Sequence, residues 1–121
     1  QYANARIKSV FNETKKRGYV FDEDIGQLNL EKLTLPIEED IVSLLGKYRE
    51  TILKSSESRS VNKLANYLKS LAQLFHSYYG STKFVSVDAE VRNARLLLLL
   101  CVSILIEDGL GILGVSSPSK M

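Results

Sequence analysis

The sequence predicts an all-α fold, a helical bundle of four main helices plus a short helix. Apolar residues recur at the three- and four-residue steps of a helix over most of the chain. With 2 prolines and 7 glycines in 121 residues, the chain also lacks the frequent turn signals of a β-sandwich. This length fits one domain with a sizeable core, so residues 1–121 are predicted to form a single domain.

The first predicted helix covers residues 1–17. Ala3, Ile7 and Val10 recur there at helical spacing, and Gly18 follows as a stop signal. No capping residue or turn precedes this helix. We therefore expect it to begin upstream, in a longer protein of which this chain is a C-terminal fragment.

The next stretch, residues 19–35, lacks a clean period. We expect a solvated loop at residues 22–26 and one short turn at residues 28–33. A helix over residues 37–54 is predicted next, because Pro36 is followed by three acidic residues in the first turn. Proline suits the first helical position, and acids there interact favourably with the helix dipole.

Two longer helices complete the bundle. A helix over residues 60–79 is predicted from an apolar stripe at steps of three and four. A helix over residues 88–108 is apolar all round in its middle, which places it at the centre of a bundle. Three glycines are expected to end it, namely Gly109, Gly111 and Gly114. Five side chains of these helices are expected to be deeply buried: Leu68, Leu71, Phe75, Leu98 and Val102.

Composition narrows the function classes. One cysteine, Cys101, excludes an internal disulfide and a CxxC metal site, and suggests a reduced core thiol in a cytoplasmic protein. One histidine, His76, excludes schemes that need a histidine pair; we expect it to be a partly exposed helix residue. The apolar run at residues 96–106 is too short to cross a bilayer. These features favour a cytoplasmic binding module over an enzyme or a membrane protein.

Charge and aromatic residues suggest two candidate surfaces. Residues 1–21 carry a net charge of +4, residues 22–59 carry −4 and the remainder carries +2. Tyr2 and Arg6 are four residues apart and share one helix face, where a ring and a guanidinium could bind unstacked bases and phosphate. The alternative is a surface tyrosine beside a solvated cation. Aromatics near the loop after residue 79 could likewise contact bases or simply belong to the core.

Four segments together resemble the anticodon-binding (DALR) domain of arginyl-tRNA synthetases, which are class I arginine–tRNA ligases. Gln1–Arg6 resembles the family's QYAxAR opening, and Leu64–Tyr79 resembles its long helix. Asp88–Leu96 resembles the segment after which the domain is named. Gly109–Met121 is similar to the family's C-terminus. The resemblance covers the whole chain and is weakest over residues 19–60.

The resemblance implies a set of anticodon-binding residues. Tyr2, Arg6, Tyr79 and the terminal Met121 match the positions that surround the anticodon loop in the family. Some members have a further aromatic four residues after the Tyr79 position. Lysine stands there in this sequence, and the adjacent Phe84 is included as the nearest aromatic. The acidic residues 22–59 are expected to face away from RNA.

The resemblance also implies what this fragment does not do. No segment of this chain resembles the catalytic signatures of the family, so we expect no catalytic residue, no metal and no cofactor in this chain. The parent ligase is expected to use ATP and magnesium. The implied partners are tRNA(Arg) and the catalytic domain of the same chain, with no DNA and no membrane. Two alternatives stay open. One is the related domain of another synthetase, such as the glycyl β subunit, and the other is a helical protein-interaction domain.

Overall fold

The computed structural model describes residues 2–58 and 62–116. In this part of the chain it contains six α-helices, one short 3₁₀ helix and no strand, which confirms the all-α prediction. The α-helices, in chain order, are α1 (Tyr2–Lys16), α2 (Glu23–Leu28), α3 (Pro36–Leu45), α4 (Tyr48–Ser58), α5 (Asn62–Ser81) and α6 (Ala89–Ser116). The 3₁₀ helix is Leu30–Lys32.

Helices α5 and α6 form the centre of the bundle. Helix α6 packs against α1, α2, α3 and α5, and α5 also contacts α1, α3 and α4. The five side chains predicted to be buried are buried, with exposed fractions from 0% at Leu71, Phe75 and Val102 to 7% at Leu68. Gly18 adopts a positive φ of 83° just after α1, the backbone conformation that a helix-ending glycine commonly adopts.

The prediction of a loop at residues 22–26 is wrong, because Asp22 caps helix α2 and the residues after it form its first turn. The Asp22 side chain caps the helix by accepting a hydrogen bond from the Ile25 N–H at 3.1 Å. The Asp22 N–H in turn donates to Asn93 Oδ1 on α6 at 2.8 Å. Gly26 is buried so closely against α6 that a Cβ atom there would lie 2.5 Å from the Asn93 carbonyl oxygen. Contacts with α6 therefore stabilise a helix too short to show a period of its own.

The predicted helix over residues 37–54 is divided into α3 and α4 by a turn at Gly46 and Lys47. Glycine has low helix propensity, and the Gly46 N–H donates back to Val42 as α3 ends. The Tyr67 hydroxyl of α5 donates to the Leu44 carbonyl at 2.6 Å. A tertiary hydrogen bond thus reaches the last turn of α3, where carbonyl groups lose their intrahelical partners.

The three glycines expected to end the last helix lie within it, since α6 continues to Ser116. Gly109 is buried, and a Cβ atom there would lie 2.7 Å from a methyl carbon of Leu68. This glycine lets α5 approach α6 closely. The segment Ala89–Gly114, 26 residues long, meets the length and composition of a membrane span. A core helix of a soluble bundle meets the same criterion, and four other helices pack on α6 here.

A buried carboxylate connects three helices. Glu38 is completely buried and accepts hydrogen bonds from the Leu35 N–H at 3.0 Å, the Tyr78 hydroxyl at 2.6 Å and Arg95 Nε at 2.7 Å. Arg95 also donates from Nη1 to the Lys83 carbonyl at 2.9 Å. This network joins the start of α3, the end of α5 and α6 to the segment that follows α5. Burial and the bond to Glu38 raise the pKa of Tyr78.

Replacing Glu38 with alanine should strongly destabilise the domain. Glu38→Ala removes the acceptor of Arg95 Nε and of the buried Tyr78 hydroxyl and leaves the guanidinium without its carboxylate, which should lower the free energy of unfolding by about 3–5 kcal/mol. Urea unfolding followed by circular dichroism measures this. Glu39→Ala is the matched control, because Glu39 is exposed in the same helical turn and its loss should cost at most about 1 kcal/mol. Equal losses for the two variants would contradict the role of the buried network.

Alkaline pH should also destabilise the domain. Burial raises the pKa of Tyr67 to about 12, above the ordinary value of 10. The phenol therefore ionises more readily in the unfolded chain, so its contribution to stability is complete below pH 10 and is lost as the pH rises towards 12. This loss is at most about 1.4 kcal/mol per pH unit for one group.

Urea unfolding between pH 8 and pH 12 measures this dependence. Tyr67→Phe removes the buried phenol and should make the decline with pH less steep. Tyr2→Phe is the control, because the Tyr2 side chain is exposed and should not change the slope. An unchanged slope in Tyr67→Phe would show that other groups cause the alkaline loss.

Candidate nucleic-acid interface

Two of the predicted site residues, Arg6 and Tyr79, meet where α1 packs beside the end of α5, and a third, Tyr2, lies one helical turn before Arg6 on α1. Ala3 and Ile7 anchor α1 to the core, and Tyr2 and Arg6 lie on the exposed side of the same helix. The guanidinium carbon of Arg6 lies 5.1 Å from the centre of the Tyr79 ring, a cation–π contact. The residues Tyr2, Arg6 and Tyr79, with His76, are called the aromatic–arginine cluster below.

Tyr2 is the most exposed member of this cluster, with 78% of its surface accessible. Tyr79 is 37% exposed, and its ring contacts the Phe75 ring and the Arg6 guanidinium. The exposed side of α1 thus carries the Tyr2 ring one helical turn before Arg6, whose guanidinium contacts Tyr79. Exposed rings and a guanidinium are groups that bind unstacked bases and the phosphate backbone.

The cluster rests on the hydrophobic core through Phe75. The Phe75 ring is completely buried, and its centre lies 5.8 Å from that of Tyr79 and 5.4 Å from that of His76. At the end of the apolar stripe of α5, Tyr78 takes the buried position and Tyr79 turns outward. Steps of three, four and three residues from Leu68 lead to Leu71, Phe75 and Tyr78, so Tyr79 falls beside the stripe.

His76 is a cluster residue that the sequence analysis missed. Its Nδ1 atom lies 3.3 Å from Arg6 Nη1, although the two residues are 70 positions apart. Burial and the neighbouring Arg6 charge lower the pKa of His76, which favours the neutral ring at physiological pH. Sequence spacing places His76 and Tyr79 on one face of α5 but gives no indication that α1 packs there.

Of the other two predicted site residues, Phe84 is not part of the cluster. Phe84 is buried, with 6% exposure, and its ring packs edge-to-face on Tyr78 at 4.9 Å between centres. A ring in the core is not available to a base, so Phe84 is left out of the contact surface proposed below. Lys83 beside it is exposed, and its carbonyl accepts the bond from Arg95. Met121 lies outside the described residues.

Positive charge extends from the cluster along α1. The buried residues of this helix are Ala3, Ile7, Val10 and Thr14, so its charged side chains face solvent. Its cations are Arg6, Lys8, Lys15 and Lys16, and Arg17 follows its last residue. Arg17 pairs with Glu13 at 2.9 Å, which leaves most of this charge unneutralised. Within the described ranges 2–58 and 62–116, no group of three histidine, cysteine or acidic residues could hold a metal ion.

An exposed cluster of tyrosine and arginine beside a basic helix, on an all-α domain, defines a helical module with the chemistry of RNA binding. Comparison with protein families agrees, because the model of the DALR anticodon binding domain matches residues 1–121. The chain belongs to this family. The predicted resemblance is therefore confirmed.

Curated relatives are similar to the chain over its whole length. An arginine–tRNA ligase of Hydrogenovibrio crunogenus is 41% identical over 121 residues, which are 100% of this chain and 20% of the relative. Arginine–tRNA ligases of Coxiella burnetii and Legionella pneumophila are 40% and 41% identical, again over the full chain, and 21% of each is covered. The chain thus spans about a fifth of these relatives. No solved structure gives a significant match.

Proposed function

We propose that this chain is the anticodon-binding part of an arginine–tRNA ligase and that it binds the anticodon loop of tRNA(Arg). The aromatic–arginine cluster is the observation that carries the proposal, because Arg6 of α1 contacts the exposed ring of Tyr79 on α5, and Tyr2 lies one helical turn before Arg6 on the exposed side of α1. The parent enzyme joins arginine to tRNA with ATP and magnesium, in a catalytic domain elsewhere in the same protein. Alone, this part binds RNA and catalyses no reaction.

The chemistry of the cluster suits an anticodon loop. Such a loop presents unstacked bases and closely spaced phosphates in a single strand of RNA. We propose that Tyr2 and Tyr79 stack on bases, while Arg6 binds a phosphate or a base edge and the other cations of α1 attract the backbone. Met121 is proposed as a further contact from the C-terminus. The parent enzyme is proposed to be cytoplasmic, with no DNA or membrane as partner.

Of the acidic residues 22–59, those from the end of α3 onward are proposed to face away from RNA, whereas the start of α3 lies at the end of α5 near the cluster, where Glu38 accepts a hydrogen bond from Tyr78. The Tyr67 hydroxyl bonds Leu44 near the end of α3. Tyr67 precedes Tyr79 by twelve residues of α5, which corresponds to roughly 18 Å along the helix. The turn at Lys47 therefore lies near the other end of α5 from the cluster.

Two alternatives are less well supported. A glycyl-type domain would share the helical fold, but the similar ligases are named for arginine. A protein-interaction domain would not need exposed tyrosine rings around an arginine. Both alternatives predict that substitutions in the cluster leave binding of tRNA(Arg) unchanged.

Removing the proposed stacking ring should weaken tRNA binding. In the full-length enzyme, Tyr2→Ala should lower the affinity for tRNA(Arg) by about 1–3 kcal/mol and raise the KM for tRNA, while kcat at saturating tRNA changes less. Tyr2→Phe keeps the ring and should stay close to the wild type. Lys47→Ala is the distant control and should have little effect. Equal losses in Tyr2→Ala and Lys47→Ala would show that the binding surface lies elsewhere.

Salt titrations should separate the role of Arg6 from that of Tyr2. Binding should weaken as salt rises, with a slope of roughly −0.7 in log K against log salt for each phosphate contacted in single-stranded RNA. Arg6→Ala should flatten the slope by about one contact if Arg6 pairs with phosphate, or relax base preference if it binds a base edge. Tyr2→Ala should lower affinity without changing the slope.

The exposed Arg49 of α4 provides a matched control for the arginine, because Arg49→Ala removes the same charge from the acidic region. Its slope should equal that of the wild type. Affinity independent of salt, or equal slopes in Arg6→Ala and Arg49→Ala with unchanged base preference, would contradict a role for Arg6 in RNA binding.

A further inference from the structure

The contact between His76 and Arg6 joins the two helices that form the aromatic–arginine cluster. Arg6 Nη1 lies 3.3 Å from His76 Nδ1. A guanidinium has only donors, so Nδ1 must accept this hydrogen bond and the ring proton must reside on Nε2. The contact therefore requires the neutral form of His76.

The position of the His76 ring is itself determined by the core. The ring is half-buried and packs against the completely buried ring of Phe75, with 5.4 Å between centres. The charged side chain that contacts it is Arg6 from α1, and the titratable side chain one helical turn away on α5 is Tyr79. No carboxylate of the described residues pairs with the ring. These surroundings favour an uncharged imidazole that acts as a fixed acceptor.

Arg6, by contrast, is exposed and has a long side chain with many rotamers. The Tyr79 ring attracts its guanidinium but does not fix the direction of its N–H groups. The bond to Nδ1 fixes one N–H and so orients the plane of the group. Ordering a side chain before binding reduces the entropy lost on binding.

We propose that His76 is a positioning residue for RNA binding. It holds the Arg6 guanidinium over Tyr79, so that the remaining N–H groups are oriented before the RNA arrives. The proposal rests on the proposed function, since it assigns to His76 an effect on the same contact surface. Protonation of His76 turns Nδ1 into a donor and places two cations side by side. Positioning is therefore lost as the pH falls through the pKa of the ring.

Two substitutions test the acceptor. His76→Leu keeps an apolar side chain on Phe75 but removes the acceptor, and should lower the affinity of the full-length enzyme for tRNA(Arg) by about 3- to 10-fold, the effect of one hydrogen bond. His76→Asn places an oxygen near the former Nδ1, has similar helix propensity and should retain most of the affinity. Ser77→Leu puts the same leucine one residue further along, about 100° around α5, and should have no effect.

A double-mutant cycle tests whether His76 acts through Arg6. In an Arg6→Ala background, His76→Leu should cause no further loss of affinity, because no guanidinium remains to be positioned. A loss of the same size in both backgrounds would show that His76 supports the fold or contacts RNA directly, and would overturn the proposal. Thermal unfolding of each variant identifies a loss that comes from misfolding.

The dependence on pH provides the second readout. Wild-type affinity for tRNA(Arg) should fall between pH 7.5 and pH 5.5, whereas His76→Asn, which has no titrating ring, should fall less. A rise in wild-type affinity on acidification would show that protonated His76 binds phosphate, and would overturn the proposal. If Arg6→Ala lowers the affinity for tRNA(Arg) and His76→Leu does not, the positioning role of His76 is overturned while the proposed function of the cluster stands. If neither does, the proposed function of the cluster fails.

Discussion

A carboxylate buried among three helices is the constraint on which this bundle depends. Glu38 has no exposed surface, so the cost of removing its charge from water must be offset by hydrogen bonds. They come from the backbone of Leu35, the hydroxyl of Tyr78 and the guanidinium of Arg95. The carboxylate is therefore satisfied by donors that only the packing of α3, α5 and α6 brings together. Arg95 extends the same network to the backbone of Lys83, directly after α5.

This arrangement also determines what the bundle exposes. Because the Tyr78 hydroxyl donates a hydrogen bond to Glu38 in the interior, the next residue, Tyr79, lies at the surface beside α1. Helix α1 presents Ala3 and Ile7 to the core, which leaves Tyr2 and Arg6 on its outer side. The aromatic–arginine cluster is thus a consequence of the register of α1 against α5. Each exposed ring of this surface is thus adjacent in sequence to a residue of the core.

Local signals in the sequence were sufficient for much of this structure. The helical period predicted α1 and most of α5 and α6, and also the burial of Phe75, because an amphipathic pattern requires only neighbours three and four residues apart. Pro36 and the acids after it marked the start of α3 for the same local reason. The resemblance in short segments was enough to indicate the family, and it selected Arg6 and Tyr79, whose side chains contact each other although they are far apart in sequence.

Tertiary structure decided what no local pattern encodes. Helix α2 forms because Asn93 and the close approach at Gly26 hold it against α6, about 70 residues away in sequence. Gly109 lies within α6, and its missing side chain leaves the space that Leu68 of α5 occupies. Phe84 is buried in the core, where its ring packs on Tyr78. His76 contacts Arg6 only because α1 lies beside α5. By itself the sequence determined the periodic helices and the family, whereas packing between distant segments decided where a helix continues and which aromatic residues remain exposed.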